Sequence, residues 1–272
     1  MFSARTLNLL ILLGVTICVA ALIRGYPLPD VQRIDAAVNA RDADRLGQTV
    51  LGKRADELPP IGPRFQTTVG GSRYYIQPIV HYELDSLVVS LHDSEGFMDF
   101  IHSLANDKLN VIDLCLAWGE FTRTGGYALF HFSNGQFSCS WESGKPEAQQ
   151  YAGVGGVYLD NYHVLSDQPF VTKQLRALHV GDQVHVSGFL ANYGFAGGPQ
   201  MRESSLGRKI VGDKPAGCEV FYVEEVQVIK RGPGATFWRP VFWGGVVLTA
   251  LLLLLWVTTP YRNPDAEPGN MR

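Results

Sequence analysis

The chain has 272 residues, 46% of them hydrophobic, with 23 Lys and Arg against 26 Asp and Glu and a formal net charge of −3. This weakly acidic balance, with no Lys/Arg-rich stripe interleaved with aromatics, argues against a nucleic-acid groove, because phosphate affinity is drawn from clustered cations. The length is ample for a well-buried core.

Residues 1–6 form a short tail carrying Arg5, and Leu7 to Ile23 contains no Asp, Glu, Lys or Arg. That run approaches the roughly 20 residues a helix needs to cross about 30 Å of hydrocarbon, so 7–23 reads as a first transmembrane helix. A cleaved secretory signal ending at the small residues Ala20 and Ala21 is the other reading. In 24–63, Val31, Ile34, Val38 and Leu46 share one helical face, which predicts a juxtamembrane helix over 30–46. Pro59, Pro60 and Pro63 then fix φ and remove donors, marking a linker.

A β-rich domain is expected over 64–230. Phe65–Val69 and Arg73–Glu83 flank a Gly70-Gly71 turn, Ser86–Leu91 reads as a third strand, and a short helix follows from Asp93 or Ser94 to Asn106. Leu109–Trp118 is apolar enough for a central strand. Asp113 within it either meets a cation or, as the alternating pattern favours, faces solvent. Asn134-Gly135 predicts a type I′ hairpin over 127–141 that pairs Ser133 with Gln136. In that register Phe132 faces Phe137 and Phe130 faces Cys139, so Cys139 points inward and His131 outward. A strand over 157–165 leads to a helix with Pro169 in its first turn and Val171, Leu175 and Leu178 as its buried stripe. Gly181-Asp182 turns into an alternating strand with Gly188 at a bend, and Cys218–Lys230 closes the domain with Val220, Tyr222, Val226 and Val228 on one side. Residues 231–240 are a second linker, 241–259 a second transmembrane helix with five consecutive leucines (Leu251–Leu255), and 260–272 a tail.

The expected fold is thus mainly β with minor α: a small antiparallel, barrel-like domain flanked by two transmembrane helices. The run Gly181-Asp182-Gln183-Val184-His185-Val186-Ser187-Gly188-Phe189-Leu190 resembles strands of OB-type barrels over about ten residues, and that resemblance carries no function. Arg5 and the free amine favour a cytoplasmic N-terminus, whereas Lys230, Arg231 and Arg239 outnumber Arg262 and Arg272 around the second run. Long loops escape the charge rule, so the first run decides, and the domain is expected in the periplasm of a two-pass inner-membrane protein. Cys18 lies in the first span. Cys115, Cys139 and Cys218 permit one disulfide, from Cys139 to Cys115 or to Cys218, with one thiol left over.

Together, Asp113–Gly119 (DLCLAWG), the FSCSW strand, Asp160–Leu165 (DNYHVL), the GDQVHVSGFL run and the stretch from Arg202 to Cys218-Glu219-Val220 resemble an uncharacterised group of bacterial two-span membrane proteins with a β-rich extracytoplasmic domain. The resemblance implies Ser-Asn-Asn-His-Leu where this chain has Asp160-Asn161-Tyr162-His163-Val164, so Tyr162 replaces an asparagine. It brings no activity with it.

Seven histidines raise the question of a metal, but no H-x-x-x-H or C-x-x-C spacing places ligands on one side, and none is expected. No G-x-S-x-G, haem-attachment or Walker motif occurs, so no catalytic residue and no cofactor is assigned. Two polar groups are the candidate ligand site. Asp160, Asn161 and His163 alternate with apolar residues, which puts Asn161 and His163 on one strand face, and Arg202, Ser204, Ser205, Arg208 and Lys209 make the most cationic loop. The leading expectation is a non-enzymatic docking or scaffold domain whose partners are the bilayer and another envelope protein, with no nucleic acid. The rival is a ligand-binding sensor or enzyme using Asn161, His163 and the 202–209 loop. A pocket converging on those residues favours the rival, and a filled domain in which they are bonded internally favours docking.

Overall fold

The structure is a computed structural model that describes residues 4–24, 61–94, 104, 106–135, 138–155, 158–205, 209–210, 214–215, 218–232 and 239–258. The expected juxtamembrane helix over 30–46, the prolines at 59 and 60, nearly all of the expected helix over 94–106, and Arg208 lie outside these residues. The chain divides into two units, one holding the terminal segments and the other residues 28–232.

The terminal unit is a pair of helices, α1 (Ala4–Arg24) and α4 (Arg239–Thr258). Leu7, Gly14 and Ala21 recur every seven residues as the buried positions of α1, and Gly245 and Leu252 do the same on α4. Gly14 sits against Thr249, while a Cβ on Gly245 would come within 2.7 Å of the Cys18 sulfur. The order of these contacts makes the helices antiparallel. Small residues let the two backbones approach closely. Of the two expected spans, one helix among the described residues, Pro240–Thr258, is long and apolar enough to cross a membrane; the apolar part of the first, Thr6–Ala21, is shorter.

The second unit is built on one seven-stranded sheet. Its strands are β1 (Phe65–Val69), β2 (Ser72–Asp93), β3 (Asn110–Ala117), β6 (Leu159–Leu165), β7 (Gln183–Phe195), β8 (Gln200–Arg202) and β11 (Glu219–Lys230), in the order β1-β2-β3-β6-β11-β7-β8. β4 (His131–Gly135) and β5 (Ser138–Glu142) form a separate hairpin, as do β9 (Lys209–Ile210) and β10 (Lys214–Pro215). Among the described residues the unit also holds two short α-helices, α2 (Gly119–Arg123) and α3 (Pro169–Arg176).

The two strands expected over 73–83 and 86–91 are one, because Asp85 does not interrupt the alternation: it is buried and accepts from His185 across the sheet at 2.7 Å. At 22 residues, β2 is long enough to pair with β7 from Tyr74 to Leu87 and with β3 from Leu87 to Asp93. Its pairings therefore return on themselves through β3, β6, β11 and β7. The sheet is nevertheless not a closed, wholly antiparallel barrel. β1 and β8 remain as edge strands outside that circuit, and β6 runs parallel to β11. A parallel pair needs a long crossover, here supplied by α3 and β7.

The inner face collects Leu84, Ile112, Leu114, Val186, Leu190 and Phe221, closed at one end by Val171 and Leu175 of α3. Val220 and Tyr222 do not share a face with Val226 and Val228 as expected. A bulge between Val223 and Glu225 shifts the register, so Val220 and Tyr222 pack outside while Val226 and Val228 point inside. Gly188 lies opposite that bulge, where a Cβ would collide with the Tyr222 carbonyl oxygen.

The hairpin keeps its expected faces but not its register. Phe132 pairs with Trp141 and Asn134 with Cys139, two positions along each strand from the predicted type I′ pairing, and residues 126–129 form a 3-10 turn rather than strand. Asn134 is consequently not a turn residue. Its amide is spent on the main sheet, where its oxygen accepts from Ser90 and its nitrogen donates to Asn161 at 3.3 Å.

Candidate functional site

The outer face of β3 and β6 carries a polar row that contains two of the candidate residues, Asn161 and His163, and is met by a third, Arg202. Asp113 and His163 are cross-strand partners, 0% and 1% exposed, with His163 Nδ1 2.7 Å from Asp113 Oδ1. The reading of Asp113 as a solvent-facing carboxylate is overturned; a buried carboxylate requires partners, and it also accepts from Asn110 Nδ2 at 3.2 Å. Arg202 on β8 brings Nη1 to 3.3 Å from His163 Nε2. Since a guanidinium only donates, Nε2 must accept, and Nδ1 is left to donate to Asp113. The imidazole is thus a bridge between a buried anion and a half-buried cation, with both nitrogens committed.

One residue before Tyr162, Asn161 uses both ends of its amide. It donates to the Cys218 sulfur at 3.4 Å and accepts from Asn134 at 3.3 Å. Above this row lies the β4–β5 hairpin, joined to β3 by a disulfide between Cys115 and Cys139, with Cα atoms 5.7 Å apart. Of the two pairings open to Cys139, this one leaves Cys218 as a half-buried thiol, whose pKa burial pushes up.

Ser204 and Ser205 belong to a different contact. Both hydroxyls donate to Glu219, Ser205 at 2.7 Å, and both are buried, so the segment after β8 is pinned to the start of β11. Asp160 points to the inner face of the same end of the sheet, half-buried, and accepts from the Asn161 N–H at 2.7 Å. Burial, and then the neighbouring Glu219 charge, hold its carboxyl well above the ordinary value of 3.8. The predicted site residues therefore split in two: Asn161, His163 and Arg202 meet outside the sheet, and Asp160, Ser204 and Ser205 gather around Glu219 at its end. Lys209 lies on β9, and Arg208 falls outside the described residues.

Several polar contacts have no counterpart in the sequence reading. Tyr162, the position where the resemblance implies asparagine, turns inward and shares a 2.8 Å hydroxyl contact with Tyr82. Asp107 accepts from the Tyr193 hydroxyl at 2.6 Å, and burial followed by the Asp107 charge drives that phenol well above its usual range. Asp182, wholly buried, accepts from Arg231 at 2.7 Å and from the Gly232 N–H at 2.7 Å. Asp113 carries a signal in the sequence, a single carboxylate inside the apolar run LNVIDLCLAW, whereas Asp85 stands between Glu83 and Ser86 in a mixed stretch that offers none.

Among the described residues no group of three or more His, Cys, Asp or Glu side chains is placed to hold a metal ion. A comparison with protein families, curated proteins and solved structures finds no match for this chain.

Proposed function

We infer that the chain is a two-pass protein of the plasma membrane whose β domain stands on the extracytoplasmic side and docks another envelope protein. The observation that carries this reading is the outward surface of the helix pair. Leu9, Leu12 and Leu13 of α1 and Val247, Leu251, Leu254 and Val257 of α4 are all more than half exposed. Each such side chain gains roughly 1.5–3 kcal/mol on leaving water, which a lipid tail provides as well as a protein core does. The shorter apolar stretch of α1 is compatible with a span, because Arg5 and Arg24 flank it and long basic side chains reach the interface from either end.

The Cys115–Cys139 disulfide supports an oxidising compartment for the domain. The sheet's circuit of five strands, with α3 in the crossover, supports a partly open OB-type arrangement, and the motif order supports kinship with the bacterial two-span group. Oligonucleotide binding is disfavoured, because the outer face of β3 and β6 carries buried Asp113 under the cross-linked hairpin. Docking is preferred over ligand sensing because Asn161, His163, Ser204 and Ser205 are bonded to other side chains of the domain.

The test is cross-linking in intact cells followed by mild detergent extraction, comparing the full chain with one whose residues 64–232 are replaced by a flexible linker. Docking predicts a defined cross-linked partner that is captured by the first and lost from the second. A sensor predicts instead a small molecule that raises the melting temperature of the full chain but not of its Arg202→Ala variant.

A further inference from the structure

Three cysteines converge on Asn161. Cys115 is the cross-strand partner of Asn161 on β3, and the parallel register of β6 and β11 sets Cys218 beside Asn161 on its other flank. Cys139 is the partner of Asn134 in the hairpin above, and Asn134 and Cys218 are the two groups that the Asn161 amide binds, at 3.3 and 3.4 Å. We propose that Cys115, Cys139 and Cys218 form a thiol–disulfide exchange site, in which the hairpin cysteine moves its bond from β3 to the start of β11.

The step is an isomerisation and balances without an oxidant. Cys218 gives its proton to solvent, and its thiolate attacks the Cys139 sulfur. The Cys139–Cys218 bond forms as the Cys115–Cys139 bond breaks, and Cys115 leaves as a thiolate that takes a proton back. One disulfide and one thiol stand on each side.

Geometry selects which sulfur is attacked. Cys115 and Cys218 lie on strands separated by β6, about two spacings of 4.7–4.9 Å, which exceeds the roughly 7 Å limit between bridged Cα atoms. A Cys115–Cys218 bond would require the sheet to break. Cys139 belongs to a two-stranded unit that shares no ladder with the main sheet among the described residues, so only side-chain contacts and the disulfide hold it in register. Because burial raises the Cys218 thiol, exchange should quicken as pH rises from 7 to 9.

The experiment uses the full chain in detergent, in a Cys18→Ala background. Protein is incubated at pH 8.5, blocked with N-ethylmaleimide, and mapped by mass spectrometry of non-reduced peptides. A peptide pair joining Cys139 to Cys218 is expected beside the Cys115–Cys139 pair, formed at a rate independent of protein concentration and at least tenfold faster at pH 9 than at pH 7. A wild-type chain that yields only the Cys115–Cys139 pair, or a rate that rises with protein concentration, overturns the proposal. Cys115→Ser in an oxidised-glutathione buffer gives a second reading. If it melts cooperatively, it should close Cys139–Cys218, and retention of both thiols overturns the proposal; if it does not fold, the wild-type time course decides.

Discussion

At the scale of single residues, the domain is organised by carboxylates taken out of water and then satisfied. Asp113 shows the cost of removing one: Asp113→Leu leaves His163 and Arg202 without the anion they bridge to. Breaking a buried pair costs about 3–5 kcal/mol, and the loss should appear as a lower urea midpoint with an unchanged slope. Asp182 and Asp160 are perturbed in opposite directions. Burial works to raise the Asp182 carboxyl, but the His179 side chain 3.8 Å away, hydrogen bonds from the Gly232 and His179 backbone N–H groups, and the Arg231 charge outweigh it and hold the pKa below 3.8. A depressed folded-state pKa contributes stability that is present above the unfolded value and lost as pH falls through the folded one. Asp182→Asn should therefore be destabilising at pH 7 and converge on wild type below pH 3.8, as read from acid unfolding curves. Asp160, raised well above 3.8, binds its proton more tightly when folded, so stability falls as pH rises past the unfolded value. Asp160→Asn keeps the acceptor for the Asn161 N–H, and its melting temperature should exceed wild type at pH 7 but match it below pH 3.8.

At the scale of elements, irregularities decide where side chains go. The bulge in β11 reverses its faces, and Gly188 on β7 is what lets the bulged strand approach. Gly188→Val forces the Tyr222 carbonyl away and should cost about 1–3 kcal/mol or more in a thermal or chemical melt. The hairpin is held differently. Its cross-link closes a sequence separation of 24 residues, for which loop entropy corresponds to about 3 kcal/mol. A doubly substituted Cys115→Ala, Cys139→Ala chain should lose about that much. Its faces were legible from the alternation of Phe130, Phe132, Cys139 and Trp141, because the side-chain period is 2 whatever the pairing. Its register was not, because Asn134-Gly135 satisfies a turn rule locally while Asn134 is claimed by Ser90 and Asn161 from the main sheet.

At the scale of the whole molecule, two apolar helices far apart in sequence form one unit while residues 28–232 form another. The helix seam depends on small residues, and its integrity has a chemical reporter in Cys18, whose sulfur lies 3.7 Å from the Phe242 carbonyl. Gly245→Leu should expel Cys18 from that contact and increase its labelling by a membrane-permeant maleimide several-fold, with no change in the melting of the β domain.

Composition and period alone determined the apolar terminal helices, the β character of the middle, the helix at Pro169–Arg176 and the inward direction of Cys139. These follow from local rules: unbroken apolar runs, the 3.6 and 2 periodicities, and proline's fixed φ. Only the folded chain decided that β2 is continuous, that β6 and β11 are parallel, that Asp113 meets His163 fifty residues away, and that Asp160 and Ser204 belong to a different cluster from Asn161. The reason is that a buried polar group takes whichever partner the sheet sets beside it, and strand order is a property of the whole set of pairings rather than of any one segment.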